Sequence, residues 1–174
     1  MSDRRPASAR RGASRWKAIA FAAAAAVTVG ILGALSTDIG PWYQSLKEPA
    51  WKPPDVLFGP AWTFIYACAA VAGVAAWRRA EDRSRREWML CLFAANAFLN
   101  VLWSLLFFRL RRPDWALYEV GFLWLSIVVL AAYLGRFSRP SAAWLAPYLL
   151  WVTFAAALNF KVVQLNAPFP GLVQ

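Results

Sequence analysis

Five long apolar runs constrain this sequence more than any other feature. They cover residues 18–36, 56–77, 88–108, 115–135 and 140–160, and each is 19 to 22 residues long. Four carry no charged residue, and the fourth along the chain contains only Glu119. A hydrocarbon core of roughly 30 Å needs about 20 helical residues, so each run can cross a bilayer once. We therefore predict an all-α membrane protein, a bundle of five transmembrane helices.

The segments between these spans are too short to form domains of their own. The longest has 19 residues and the shortest 4, and chains of that length bury no hydrophobic core. The sequence therefore divides into a basic N-terminal extension (1–17), a five-helix domain (18–166) and a C-terminal tail (167–174). Composition agrees, because 60% of the residues are hydrophobic and 16% are charged, against about 45–50% and about 25% in soluble proteins.

Missing residue types exclude several classes of site. Histidine is absent and there are two cysteines. The absence of histidine excludes Ser-His-Asp and Cys-His nucleophilic sites, imidazole zinc sites and His-ligated haem. Two cysteines also argue against thiolate clusters and a disulfide scaffold. We predict no metal site and no required cofactor.

Lysine and arginine predict the orientation of the chain. The N-terminal extension and the second and fourth loops carry 13 of these residues, and the opposite side carries 6. Because positively charged loops stay on the cytoplasmic side, we predict a cytoplasmic N-terminus and a non-cytoplasmic C-terminus in a bacterial cell membrane. The net charge of +10 then faces anionic lipid headgroups, which we favour over nucleic acid as its partner.

The first loop and the start of the second span form the most unusual segment. Residues 42–66 read WYQSLKEPAWKPPDVLFGPAWTFIY. Proline and the residue before it both oppose helical geometry, so no helix can run through residues 49–54. The segment predicts a rigid, partly polyproline-like loop rich in aromatic side chains.

Further motifs follow in the later spans: LNVLWSLLFF in the third, WALYEV in the fourth and PYLLWVTFAAALNFKVVQLN in the fifth. Together with the first loop they closely resemble the TspO/MBR family, the translocator proteins, also called tryptophan-rich sensory proteins or peripheral-type benzodiazepine receptors. The resemblance extends from about Gly30 to Asn166 and covers all five spans in order. It implies a pocket between the helices, capped by the first loop, that binds porphyrins and other tetrapyrroles as ligands, sterols in some members, and isoquinoline carboxamide or benzodiazepine-type drugs. It also implies a link to tetrapyrrole homeostasis and the stress response.

Residues that match the ligand-contact motifs of the family are Tyr43, Trp51, Pro54, Trp62, Asn100, Trp151 and Ala155. Indole faces can stack on a flat macrocycle, the Asn100 amide can bond a carbonyl or propionate, and Ala155 leaves room beside Trp151. We add the hypothesis that Lys47, Lys52 or Arg109 meets the propionates at the rim. The animal sterol pattern is broken here, since Phe160 replaces its tyrosine, and this favours a tetrapyrrole over a sterol.

Helix geometry supports the same pocket independently. With the N-terminus inside, the second span enters at the face where the third and fifth leave. At a 1.5 Å rise Trp62 lies about 9 Å and Trp151 about 14 Å below that face. Asn96 and Asn100 follow each other at a spacing of four in the third span. Buried polar groups and deep tryptophans therefore converge beneath the proline-rich loop.

Several of these residues have a purely structural interpretation as well. Asparagines in spanning helices commonly bond a neighbouring helix, and this explains Asn96, Asn100 and Asn159 as well as ligand contact does. Tryptophans at the ends of spans are typical interfacial anchors; they are Trp16, Trp77, Trp88, Trp115 and Trp144. For Glu119 we expect an interfacial position or pairing with Arg109, Arg111 or Arg112 rather than proton chemistry.

Three classes of function remain open. The first is a binding or sensory protein for tetrapyrroles, the second a transporter or efflux factor for the same ligands. The third is an enzyme that degrades protoporphyrin in light, with Trp62 and Trp151 as its catalytic residues. No acid-base pair or cofactor motif supports conventional catalysis, so we favour binding. The family also implies a possible homodimer through the third span, where Ala94, Ala95 and Phe98 could form the contact.

The predicted orientation can be tested with reporters that are active on only one side of the membrane. Fused to the N-terminus, a cytoplasmic reporter should be active, and fused to the C-terminus it should be silent, because 13 of the 19 basic residues lie on the side of the N-terminus. A cytoplasmic C-terminus would contradict the prediction.

Overall fold

The computed structural model of the protein describes residues 7–169, without the side chains of residues 7–15 and 17. Arg4 and Arg5 of the predicted N-terminal extension, and residues 170–174 of the predicted tail, lie outside this range. Within it the chain forms helices and no strands. The helices are α1 (Ala7–Ser36), α2 (Pro41–Ser45), α3 (Phe58–Trp77), α4 (Arg83–Ser104), α5 (Pro113–Gly135), α6 (Arg139–Ala143) and α7 (Ala146–Asn166). A 3-10 turn, Asp55–Leu57, precedes α3, and a π-helical turn, Leu105–Arg109, continues α4.

Five helical segments are long and apolar enough to cross a membrane, which confirms the predicted five-helix membrane architecture. They are Ala18–Ser36, Asp55–Trp77, Arg83–Arg109, Pro113–Gly135 and Arg139–Asn166. Most exceed the apolar runs because the helices continue through charged residues at their ends. The last segment is interrupted between α6 and α7, and each of these helices has a proline in its first turn. Proline is tolerated there because the N–H it lacks has no partner within the helix.

The two ends of the bundle differ in the side chains that form their cores. We call the end that carries the first loop, residues 37–54, the capped end. The core of the opposite end contains small side chains from α3, Ala72 and Ala76, against aliphatic ones such as Leu130 and Leu134 of α5. Towards the capped end the core becomes aromatic, with Tyr148 and Trp62 at mid-height and Phe107, Trp42, Tyr43 and Trp103 nearest the loop.

Small residues allow the first span to lie close against α3. A Cβ added at Gly30 would lie 3.7 Å from the Tyr66 ring, and one at Gly33 would lie 3.9 Å from the Tyr66 hydroxyl. Gly30 and Gly33 therefore lie on the face of α1 that packs against α3, whereas Ala34 is exposed. The backbone of α1 also extends as helix back to Ala7, into the predicted N-terminal extension.

Local signals explain the chain reversals on either side of α4. Asp82 caps α4 at its start, where its carboxylate accepts from the backbone N–H of Arg85 (2.8 Å). After the π-helical turn Arg111 adopts a left-handed conformation with φ 54°, as residues that end helices commonly do. Pro113 then opens α5. This reversal places the start of α5 beside the first loop.

Gly73 offers a test of close packing between α3 and α4. A Cβ added there would lie 3.1 Å from Phe93 Cζ, whereas nothing lies within 4 Å of one added at Gly121. Gly73→Leu should therefore destabilise the protein by about 1–3 kcal/mol through overpacking and lower its melting temperature in detergent. Gly121→Leu is the matched control and should be neutral or stabilising; equal melting temperatures for both variants would contradict the packing described.

Candidate ligand-binding site

A cavity lies at the capped end, between the first loop, the π-helical turn and α7. Its empty volume is about 460 Å³, part of which is open to solvent. The loop side contributes Tyr43, Leu46, Glu48, Lys52 and Phe58, and the helices contribute Trp103, Phe107, Phe108, Ala155, Leu158, Asn159 and Val162. The lining is therefore mostly aromatic and aliphatic, with a few polar groups.

One wall of the cavity is a continuous aromatic surface. Trp103 stacks on Phe107, with ring centroids 5.2 Å apart, and Phe107 lies 4.8 Å from Phe108. Tyr43 of α2 closes the row against Phe108 at 5.5 Å. Both phenylalanines belong to the π-helical turn, and such wide turns in a helix are frequent at functional sites. The wall can present flat ring faces to a planar ligand.

A compact ionic cluster forms the rim. The Lys52 ammonium lies 2.5 Å from Glu48 Oε1 and 2.6 Å from Asp55 Oδ1, and 4.7 Å from the centre of the Tyr43 ring. The Tyr43 hydroxyl donates to Asp55 at 3.0 Å. Burial raises the pKa of Tyr43 to about 12, so this hydroxyl keeps its proton at neutral pH. Burial alone would lower the pKa of Lys52, but its hydrogen bonds to Asp55 and Glu48 outweigh burial and raise that pKa.

These contacts bear on the hypothesis that rim cations meet ligand propionates. Lys52 is bonded to two carboxylates, and its side chain is only 9% exposed. Arg109 donates to the backbone carbonyl of Leu35 at 2.5 Å. A ligand carboxylate would have to exchange with these partners.

The first loop is attached to the end of α7 by one side chain. Asn166 accepts from the backbone N–H of Lys47 (2.8 Å) and donates to the Lys47 carbonyl (2.9 Å). The same amide also donates to the carbonyl of Val162 (2.8 Å). The pair of bonds to Lys47 determines where the loop sits over the cavity. No sequence pattern pointed to this contact, because it joins positions 119 residues apart.

The two deep tryptophans lie in contact directly beneath the cavity. Their ring centroids are 6.4 Å apart in an edge-to-face arrangement. Trp62 also stacks on Tyr66 at 5.3 Å, and Trp151 meets the edge of Phe58 at 5.5 Å. Phe58 itself lines the cavity. It therefore joins the cavity to the indole pair.

The structure distributes the seven predicted contact residues over three layers. Tyr43 and Ala155 line the cavity. Trp62, Trp151 and Asn100 lie beneath the cavity. Trp51 and Pro54 lie above it, in the first loop. Trp51 is 47% exposed and packs edge-on against Phe154 (5.7 Å). Pro54 is exposed and accepts from the backbone of Leu57. The role of the seven as ligand contacts stays a prediction.

A chain of hydrogen bonds crosses four helices below the indoles. The Tyr66 hydroxyl donates to Asn100 Oδ1 (2.9 Å), and Asn100 Nδ2 donates to the Tyr148 hydroxyl (3.1 Å). The Tyr148 hydroxyl in turn donates to Asn96 Oδ1 (3.1 Å). Asn96 Nδ2 donates to Ser126 Oγ (2.8 Å), and the Ser126 hydroxyl donates to the Leu123 carbonyl (2.7 Å). The interpretation of Asn96 and Asn100 as bonds to neighbouring helices is therefore observed.

Asn159 likewise bonds a neighbouring helix. Its amide, oriented to suit both neighbours, donates to the Pro113 carbonyl (3.0 Å) and accepts from the Leu117 N–H (3.1 Å). It thus ties α7 to the first turn of α5, at the carbonyl and the N–H of one i, i+4 backbone pair. Sequence reasoning gave no signal for Ser126 or for the partners of Asn159, since both depend on how the helices are rotated.

The expectation for Glu119 was wrong. The residue is 6% exposed, and within residues 7–169 neither carboxylate oxygen has a hydrogen-bond partner. Arg112 pairs instead with Asp114, two residues away, and Arg111 lies over the Trp42 ring at 5.9 Å. Glu119 is more than a helical turn further from the loop than Asp114, on the face of α5 that carries the buried Ala116 and Leu123.

Removing one hydroxyl should test the hydrogen-bond chain. Tyr148→Phe removes the group that both accepts from Asn100 and donates to Asn96, leaving buried polar atoms without partners, and should cost about 1–3 kcal/mol of stability. The measurement is the melting temperature in detergent. Tyr118→Phe is the control, because Tyr118 is 78% exposed; an equal loss in both variants would show that the chain contributes nothing.

Comparison with known proteins identifies the family of the chain. Residues 20–165 match the TspO/MBR family. The chain is 38% identical to the tryptophan-rich protein TspO of Chlorobaculum tepidum, over 72% of this chain and 79% of that protein. It is 34% identical to the protein of the same name from Archaeoglobus fulgidus, over 82% and 93%, and 33% identical to the translocator protein of Bos taurus, over 72% and 75%. The chain is therefore a multi-pass membrane protein that belongs to the TspO/MBR family.

Proposed function

We propose that this protein is a binding or sensory membrane protein for tetrapyrroles, porphyrins above all, which it takes into the cavity at the capped end. The observation that carries the proposal is the pair of touching indoles, Trp62 and Trp151, beneath an aromatic cavity. Ring faces of this kind suit a flat macrocycle, whose apolar area they remove from water. The tetrapyrrole is a ligand in this proposal and is not needed as a cofactor.

Binding requires a movement of the indole pair or of the loop. One face of Trp62 is covered by Tyr66, and its surroundings are filled by Tyr148 and Trp151. The first loop packs Trp42, Tyr43 and Trp51 on the helices and is bonded to α7 through Asn166, but none of its residues is buried. Segments with few buried apolar contacts open at low cost. We therefore propose that the loop lifts and that the ligand lies between it and the indole pair.

The same cavity suits isoquinoline carboxamide or benzodiazepine-type ligands, which are also flat and largely apolar. In the cell the protein would lie in the cell membrane with its N-terminus in the cytoplasm and would link tetrapyrrole levels to the stress response. Arginines of the loops at the opposite end, Arg79 and Arg136 among them, would then face the cytoplasm. A homodimer through α4 would use Phe98, which is exposed on the outside of the bundle.

The contact between the two indoles supports light-dependent degradation as a second candidate. An excited porphyrin beside Trp62 could exchange an electron with it, and Trp151 is near enough to share the resulting radical. Dioxygen would be the oxidant and a linear tetrapyrrole the product. This candidate makes Trp62 and Trp151 catalytic as well as binding residues.

Titration of the purified protein in detergent with protoporphyrin IX tests both candidates. Binding is followed by the change in porphyrin absorbance, so that loss of a tryptophan does not remove the signal. Trp62→Phe and Trp151→Phe should each weaken binding about three- to tenfold, the value of an aromatic contact. Trp88→Phe is the control, since Trp88 is 60% exposed and lies at the opposite end of the bundle.

Illumination of the complex then separates the two candidates. A linear tetrapyrrole product that disappears in both tryptophan variants supports degradation, whereas binding without a product leaves binding alone. Absence of any wild-type binding at micromolar porphyrin would contradict both, and transport of the same ligand with them.

A further inference from the structure

Two buried polar groups near the cavity form no hydrogen bond in the described part of the chain. They are the carboxylate oxygens of Glu119 on α5 and the indole Nε1 of Trp103 on α4. Neither group belongs to the hydrogen-bond chain described above. Buried polar atoms in proteins nearly always have a partner, so each exception calls for an explanation.

Helix register places these two groups opposite each other. The bond between Asn96 and Ser126 (2.8 Å) joins α4 to the antiparallel α5. Trp103 is seven residues after Asn96, and Glu119 is seven residues before Ser126. Seven residues are about two helical turns, so Trp103 and Glu119 lie at one level, on the same two facing surfaces as the bonded pair. Phe107 and Ala116, one turn nearer the loop, pack in one cluster and confirm the register.

This level adjoins the cavity. Trp103 lines the cavity and stacks on Phe107 of its aromatic wall. Glu119 lies just beyond Leu117, whose backbone N–H bonds Asn159, another lining residue. Neither the Trp103 Nε1 nor the Glu119 oxygens are accessible to solvent in the structure, so a ligand in the cavity contacts them only after the Trp103 ring shifts.

The chemistry of the pair defines what it can hold. An indole N–H only donates, and a carboxyl group donates in its neutral form, which an apolar setting without a cation favours. Among the described residues, the ionisable groups on the packed helices at this level are tyrosines, Tyr148 of α7 and Tyr66 of α3, both already bonded. The cation nearest along α5, Arg112, is paired with Asp114. Two converging donors without a competing charge suit an acceptor oxygen.

We propose that Glu119 and Trp103 form a polar subsite behind the inner wall of the cavity that, once the Trp103 ring shifts, binds a carboxyl oxygen of the ligand, with Glu119 as a proton donor. The inference rests on the proposed binding function and adds which part of a porphyrin is recognised, its propionate.

Two porphyrins and three variants test this subsite. The probes are protoporphyrin IX, which carries propionates, and etioporphyrin, which has alkyl groups only. Glu119→Leu and Trp103→Phe should each weaken binding of protoporphyrin IX about three- to tenfold, as expected for one hydrogen bond, and should change binding of etioporphyrin less than about twofold. Unchanged etioporphyrin binding also shows that each variant is folded. Glu81→Gln, an exposed carboxylate between α3 and α4, is the control.

Glu119→Gln distinguishes a hydrogen-bonding role of residue 119 from a requirement for its negative charge. Its amide donates as the neutral carboxyl does, so it should bind protoporphyrin IX as the wild type does, whereas Glu119→Leu should not.

The outcomes separate this inference from the proposed function. If both porphyrins depend on Trp62 but neither depends on Glu119 or Trp103, the subsite is refuted and the function stands. Equal losses for both porphyrins in Glu119→Leu and Trp103→Phe also refute it, since they indicate packing alone. A wild type that binds neither porphyrin overturns the proposed function and the subsite together.

Discussion

Hydrogen bonds among Tyr66, Asn100, Tyr148 and Asn96 hold α3, α4 and α7 together at a depth where no water can replace them. Inside a bilayer helices gain little from hydrophobic burial against one another, so specific bonds and close packing decide how they associate. The same bonds orient the two tyrosines against which Trp62 packs. The position of the indole pair, and of the cavity above it, therefore depends on this polar layer.

Above and below that layer the bundle is built differently. At the opposite end, alanines and Gly73 let helices pack closely, which suits a rigid base. At the capped end, large aromatic rings and a π-helical turn replace them, and the closure is a loop with no buried residue, which packs aromatic rings on the helices and is bonded to α7 through Asn166. Segments with few buried apolar contacts open at lower cost than a buried core. The two ends of the bundle therefore differ in how firmly they are packed.

Much of the fold and part of the site could be predicted from the sequence. The five spans follow from run length and hydropathy, and the loop follows from its prolines, because both properties are local. The position of Trp62 and Trp151 deep below one face could also be expected, since each lies a countable number of residues from it, whereas their contact depends on helix rotation. Glu119 was mispredicted because length along a helix gives depth but not rotation. Its depth suggested the interface, while its rotation turned it into the bundle, away from the arginines.

The other contacts of the site also depend on tertiary structure more than on local sequence. The rim cluster joins residues of one loop, yet nothing in the order Glu48, Lys52 and Asp55 shows that one ammonium meets both carboxylates beside Tyr43. The attachment of the loop depends on Asn166, which is distant in sequence. By itself, the sequence determined that this chain crosses a membrane five times and carries a proline-rich aromatic loop, because the bilayer selects on length and polarity. Only the tertiary structure decided which polar groups meet, bonding Asn100 to two tyrosines and leaving Glu119 and Trp103 without partners, because those pairings depend on helix rotation and register.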